Sequence, residues 1–182
     1  MKALLVNNVQ NGYFIIKETD DSTIRIIKRE NNKVIPIINK LLSKFELIIF
    51  TKETIPNLDD KISQDLSNEL ELKNIKGGFY IFKKKPEFNN RNNTSGFFCD
   101  GLSEFLKEKG VEDLYIAGLD TYWSINNTAV DSHHLGFKTI IINDGCTFSW
   151  DMNEEVLVNC NDLGINIIDS WEFPIYETIK NL

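Results

Sequence analysis

Ser124 lies in the stretch Gly118-Leu119-Asp120-Thr121-Tyr122-Trp123-Ser124-Ile125-Asn126, directly after the apolar run Leu114-Tyr115-Ile116-Ala117. A buried strand, a tight turn and a helix start meet within these residues. In open α/β sheets that junction is where ligands bind, because N–H groups at the helix start point into the crevice beyond the strand ends. A hydroxyl at such a helix start either caps the helix or attacks a substrate. Other polar groups stand at the ends of the remaining apolar runs: Asn8, Thr51-Lys52-Glu53, Lys83-Lys84-Lys85 and Asn143-Asp144. Each has a plain structural reading as well. Asn at a strand end forms turns, a lysine run is commonly a solvated edge, and a serine just inside a helix is more often a cap than a nucleophile. Singly, none of them identifies a chemistry.

The elements that must hold these residues follow from the hydrophobic pattern. Ala3-Leu4-Leu5-Val6, Leu47-Ile48-Ile49-Phe50, Phe79-Tyr80-Ile81-Phe82, Leu114 to Ala117, Thr139-Ile140-Ile141-Ile142 and Ile165-Asn166-Ile167-Ile168 read as six strands. The continuous apolar run Ala3 to Val6 has the pattern of a strand covered on both faces. Between them, Ile37, Ile38, Leu41 and Leu42 form a helical stripe with Pro36 near its start, where a missing N–H costs little. Leu102, Phe105 and Leu106 give another helix closed by Gly110, and the helix after Ser124 ends at Gly136. A short helix over Asp65–Leu70, and one carrying Val156, Leu157, Val158 and Leu163 and closed by Gly164, complete the alternation. Thr23 to Ile27 reads as a strand or an extended excursion. The prediction is an α/β, three-layer αβα fold with a six-stranded, mostly parallel sheet, as one domain over residues 1–182.

Composition limits the partners. With 20 Lys and Arg against 27 Asp and Glu, the net charge of −7 argues against non-specific nucleic-acid binding, which needs a basic stripe. No apolar run approaches the ~20 residues of a membrane span. The apolar part of Met1–Val6 is too short for a signal peptide. Cys99, Cys146 and Cys160 are odd in number and lack metal-type spacing, so a reduced, cytoplasmic setting is expected.

Taken together, Ala3 to Asn11, Ile35 to Leu42, Ser95-Gly96-Phe97 and Gly118 to Asp131 resemble, in order and spacing, the isochorismatase-like hydrolase family, which includes nicotinamidases and related cysteine hydrolases. The resemblance implies a site built from an Asp, a Lys and a Cys. The thiolate attacks an amide carbonyl, the Asp accepts its proton, and backbone N–H groups at the fourth strand–helix turn hold the oxyanion beside a non-proline cis peptide. Carried over by position, the Asp falls on Asn8, the Cys on Ser124 and the Lys within Lys83-Lys84-Lys85, with Lys84 favoured and Lys83 next. The cis bond falls at Leu119–Asp120 and the oxyanion N–H groups on Asp120 and Ser124. Nicotinamidases also follow strand two with an Asp- and His-containing motif that binds zinc or a similar ion. Here that run is Thr51-Lys52-Glu53-Thr54-Ile55-Pro56; Glu53 could ligate, but Ile55 stands where the first His is expected. The only histidines, His133 and His134, sit together on the helix after Ser124. No metal and no cofactor are expected.

Two readings of function follow. In the first, a family member has exchanged base and nucleophile and keeps a pocket, with Tyr122, Trp123 and the lysines facing a small planar or anionic ligand, or keeps an assembly role. In the second, Ser124 is activated by a neutral Lys84, as Ser–Lys pairs are elsewhere. The acid chemistry of the isochorismatases themselves still needs the Asp, and Asn8 counts against it. The alternative for Tyr122 and Trp123 is a core or subunit contact. The resemblance further implies a homo-oligomer, a dimer or tetramer.

Overall fold

Alternate residues of the apolar strands go to opposite faces, and the packing follows that alternation. Leu4, Val6, Ile48, Phe50, Tyr115, Ala117, Ile140 and Ile142 join one buried cluster. Ala3, Leu5, Leu47, Ile49, Leu114, Ile116 and Ile141 join a second on the other side. In the computed structural model, which describes residues 1–14, 28–29, 31–53, 64–84, 94–147 and 159–179, the strands are β1 (Lys2–Asn7), β2 (Leu47–Lys52), β3 (Gly78–Lys83), β4 (Asp113–Gly118), β5 (Lys138–Cys146) and β6 (Asn166–Ile168). They form one six-stranded sheet in the order β3-β2-β1-β4-β5-β6, with every pairing parallel.

Helix α1 (Ile35–Leu42) buries Ile35, Ile38, Leu41 and Leu42 against the first face, with Pro36 in its opening turn as expected. Helices α2 (Leu102–Glu108) and α3 (Asn126–His134) cover the second face through Leu102, Leu106 and Ala129. Helix α4 (Phe173–Ile179) returns to the first face, where Phe173 and Phe45 pack on the ring of Tyr115 at centroid distances of 5.3 and 5.1 Å. Each fully buried Leu, Ile or Phe stabilises by about 1.5–3 kcal/mol relative to exposure. The central strands β1 and β4, buried on both faces, therefore anchor the sheet where the strand order reverses.

Several boundaries differ from the sequence reading. Asp65–Leu70 is not a helix. Gln10 and Leu66 form an isolated antiparallel bridge there, and the Ser67 N–H donates to the Val9 carbonyl, so this segment serves as backbone support for the loop after β1. Asn143 and Asp144 do not follow β5 but lie inside it, beyond a shift in its pairing with β4. Asn143 Nδ2 donates to Asp169, and Asp144 accepts from the N–H and hydroxyl of Ser170, so both tie β5 to the end of β6. Residues 159–162 are helical before the turn at Gly164, whereas Val156–Val158 and Thr23–Ile27 lie outside the described residues. Among the described residues no helix is long and apolar enough to cross a membrane.

Candidate functional site

Parallel register brings the polar strand ends to one level. Asn7 pairs with Thr51 on one side and Gly118 on the other, and Lys52 pairs with Lys83. The next residues, Asn8, Glu53, Lys84 and Leu119, therefore emerge together at the carboxyl edge of the sheet. Strand alternation then separates the lysines: Lys83 is exposed, whereas Lys84 is only 3% exposed and turns inward. Lys85 lies outside the described residues.

Gly118 ends β4 at φ 121, where a Cβ would lie 2.2 Å from the Asn7 carbonyl oxygen, so the close approach of β4 to β1 requires glycine. The Leu119–Asp120 peptide that follows is cis, at the bond the family resemblance indicated. The chain then makes a π-turn over Thr121–Ile125 before entering α3. Asp120 accepts from the Trp123 N–H at 2.9 Å, and Thr121 is tied to the Thr147 carbonyl. Ser124 is thereby held inward and buried at the foot of α3.

Around the Ser124 hydroxyl the chain supplies donors. Lys84 Nζ lies 3.1 Å from Ser124 Oγ, Asn8 Nδ2 3.3 Å and Asn7 Nδ2 3.2 Å. Ser124 Oγ gives its own proton to the Thr94 carbonyl at 2.8 Å, and Lys84 Nζ donates to the same oxygen at 2.6 Å. The third contact of Lys84 is an ion pair with Glu53 Oε2 at 3.4 Å. Burial lowers the pKa of Lys84, and Glu53, Cys99 and Asp120 oppose that shift. Asn8 adopts φ 53, a conformation Asn tolerates, and its Oδ1 is a buried acceptor without a hydrogen-bond partner among the described residues.

Asn8, Lys84 and Ser124 therefore converge. The sequence reading missed Asn7, which holds the turn from below. Its Nδ2 donates to Thr128 Oγ1 at 2.8 Å, and Thr128 Oγ1 accepts from the Gly96 N–H at 2.7 Å. It also missed Thr94. The signal for Asn7 was available, because two consecutive amides end an otherwise apolar strand; a backbone carbonyl like that of Thr94 leaves none. Tyr122 and Trp123 are half-buried and pack edge to face at 4.5 Å, which engages each ring with the other.

Glu53 is held by the loop after β1. Gln10 receives the Glu53 N–H and donates to the Glu53 carbonyl, each at 2.8 Å, and the Tyr13 hydroxyl donates to Glu53 Oε1. Both carboxylate oxygens of Glu53 are thus engaged, and among the described residues no three His, Cys, Asp or Glu side chains group as metal ligands. His133 and His134 lie at the far end of α3, and Ile55 lies outside the described residues.

Asn8, Lys84 and Ser124 thus meet beyond the carboxyl ends of β1 and β4, where the strand order reverses and open α/β sheets place their ligand crevice. Residues 2–170 match the family model of the isochorismatase domain, and the chain belongs to that family. Among solved structures it is similar to the zinc complex of pyrazinamidase from Pyrococcus horikoshii, with TM-score 0.72 and 21% identity over 92% of this chain and 98% of that one. It is also similar to a nicotinamidase/pyrazinamidase of Acinetobacter baumanii, with TM-score 0.73 and 21% identity over 94% and 97%. An isochorismatase family protein of Desulfovibrio vulgaris matches with TM-score 0.77 and 15% identity over 97% and 98%. In sequence, a nicotinamidase of Acinetobacter baylyi is 38% identical over 53 residues, which span 29% of this chain but only 24% of that relative.

Proposed function

We propose that this chain is an isochorismatase-family protein that lacks the cysteine-hydrolase reaction and keeps the site's frame for binding a small planar or anionic ligand or for assembly. The observation that carries this reading is the hydrogen bonding of Ser124. Its oxygen, with two lone pairs, sits among three N–H groups of Lys84, Asn8 and Asn7, and its proton goes to a main-chain carbonyl, which is no base. In the family pattern, position 8 holds the carboxylate that takes the nucleophile's proton and position 124 holds the thiol. A general base alone contributes roughly 10²–10⁴ in rate, so exchanging both groups leaves little. Purified protein is expected to release no ammonia from nicotinamide or pyrazinamide above a S124A control; turnover at ordinary enzyme rates sinks the reading.

One observation favours a second reading, an active Ser–Lys hydrolase of a small amide. Lys84 is buried, its pKa is lowered by that burial, and it lies in contact with Ser124 Oγ. This version predicts Ser124-dependent labelling by a fluorophosphonate that rises with pH. The first reading predicts none.

The remaining parts of the proposal are a single domain over residues 1–182, a homo-oligomer (dimer or tetramer) and a cytoplasmic location. Exposed Phe79, Tyr80 and Ile81 on edge strand β3 support association, which light scattering tests. The net charge of −7 supports a partner other than nucleic acid.

A further inference from the structure

The two readings of Ser124 differ in one proton, the third on Lys84, and the surroundings of Lys84 fix where that proton stays. Three acceptors surround Nζ: the Thr94 carbonyl at 2.6 Å, Ser124 Oγ at 3.1 Å and Glu53 Oε2 at 3.4 Å. An ammonium has three N–H bonds for them; a neutral amine has two and a lone pair. The ion pair with Glu53 favours the ammonium; in the neutral form the lone pair would have to draw the Ser124 hydroxyl proton away from the Thr94 carbonyl.

Glu53 does not reach this position by chance of rotamer. Gln10 is fully buried and clamps both main-chain groups of Glu53, while a further donation to the Gln64 carbonyl at 2.9 Å fixes Gln10 itself. The Tyr13 hydroxyl holds Oε1, leaving Oε2 for Lys84. Tyr13 remains a donor, because burial and then the charge of Glu53 raise its pKa well above the usual phenol value. The charged or titratable groups that act on Lys84 are Glu53 from the end of β2, Cys99 before α2 and Asp120 after β4; of these, Glu53 makes the ion pair.

We propose that Glu53, set by Gln10 and Tyr13, is the positioning residue that keeps Lys84 a protonated donor aimed at Ser124, so that β2 supplies the negative charge that position 8 on β1 lacks. This rests on the first functional reading, since it makes Lys84 a fixed donor and denies Ser124 a base. It also offsets one departure: the carboxylate expected on β1 is an amide, and the carboxylate at the end of β2 neutralises the buried lysine.

The test is NMR of Lys84 in the full chain labelled with ¹³C and ¹⁵N at lysine and glutamate, its signal assigned by loss in K84R. With Glu53 in place the side chain is an ammonium at neutral pH, and E53Q lowers its deprotonation midpoint by about 1 pH unit or more, the effect of removing one close opposite charge. E53D, which keeps the charge on a shorter arm, shifts it less. Superimposable wild-type and E53Q titrations overturn the proposal. If E53Q fails to fold, the wild-type spectrum decides: an ammonium with through-hydrogen-bond coupling to the Glu53 carboxyl carbon supports it. A neutral amine, or an ammonium without that coupling, overturns it. Ser124-dependent amide turnover would instead defeat the functional reading, in a separate assay.

Discussion

Asn8 Nδ2 and Ser124 Oγ are 3.3 Å apart, with the amide donating to the hydroxyl across the gap between β1 and the turn after β4. A carboxylate at position 8 would accept from that hydroxyl. Here the Ser124 hydroxyl proton goes to the Thr94 carbonyl at 2.8 Å instead.

If Ser124 serves as a hydrogen-bonding hub, removing its oxygen destabilises the fold. Ser124→Ala leaves the Asn8 amide and one N–H of Lys84 facing a methyl group, while Asn7 keeps its bond to Thr128. The expected cost is about 1–3 kcal/mol, the range for buried donors left without an acceptor. Urea unfolding followed by circular dichroism reads it; a midpoint equal to that of the parent chain contradicts the hub.

Gly118→Ala tests the close approach that sets the turn. The added Cβ would meet the Asn7 carbonyl oxygen at 2.2 Å and its nitrogen at 2.7 Å, in a backbone conformation foreign to alanine. Strain of this kind costs about 1–3 kcal/mol before any clash is relieved. A large loss of stability, or failure to accumulate as folded protein, is expected; Gly136→Ala, with nothing within contact of its Cβ, should be milder.

Alkaline stability reports on Cys99. Burial pushes its thiol up to about 12 from an ordinary value near 9. The folded state therefore keeps a proton that the unfolded chain releases. The associated stability is fully present below about pH 9 and is lost as pH rises toward 12. Cys160, raised to about 11 by burial, acts in the same direction. Cys99→Ala should flatten the fall in urea midpoint between neutral pH and the alkaline range, whatever its effect at neutral pH. Parallel curves for the two proteins contradict the assignment.

Much of this was readable from residue order because the governing forces are local or periodic. Runs such as Leu4-Leu5-Val6 and Tyr115-Ile116-Ala117 require cover on both faces, which fixes a parallel sheet with helices on each side. Lys84 was separable from Lys83 only through a family spacing, which strand alternation explains. Asp65–Leu70 misled because its helical composition is overridden by backbone bonds to the loop after β1, a long-range pairing with no local mark. Glu53 was visible as a strand-end carboxylate, but its partner was not, since the approach of Lys84 depends on the β2–β3 register. The Thr94 carbonyl was invisible, as any main-chain group is.

The central claim is that the frame of a hydrolase site persists here without its reagents, and restoring both reagents tests it most directly. Asp shares with Asn a tolerance of positive φ, so Asn8→Asp does not disturb the end of β1. Ammonia release from nicotinamide should remain at background in the parent chain and in N8D and S124C singly. In the N8D/S124C double variant it should rise by about 10²-fold or more, the contribution of a base to its nucleophile. Amide turnover by the parent chain as fast as by the double variant would contradict the account.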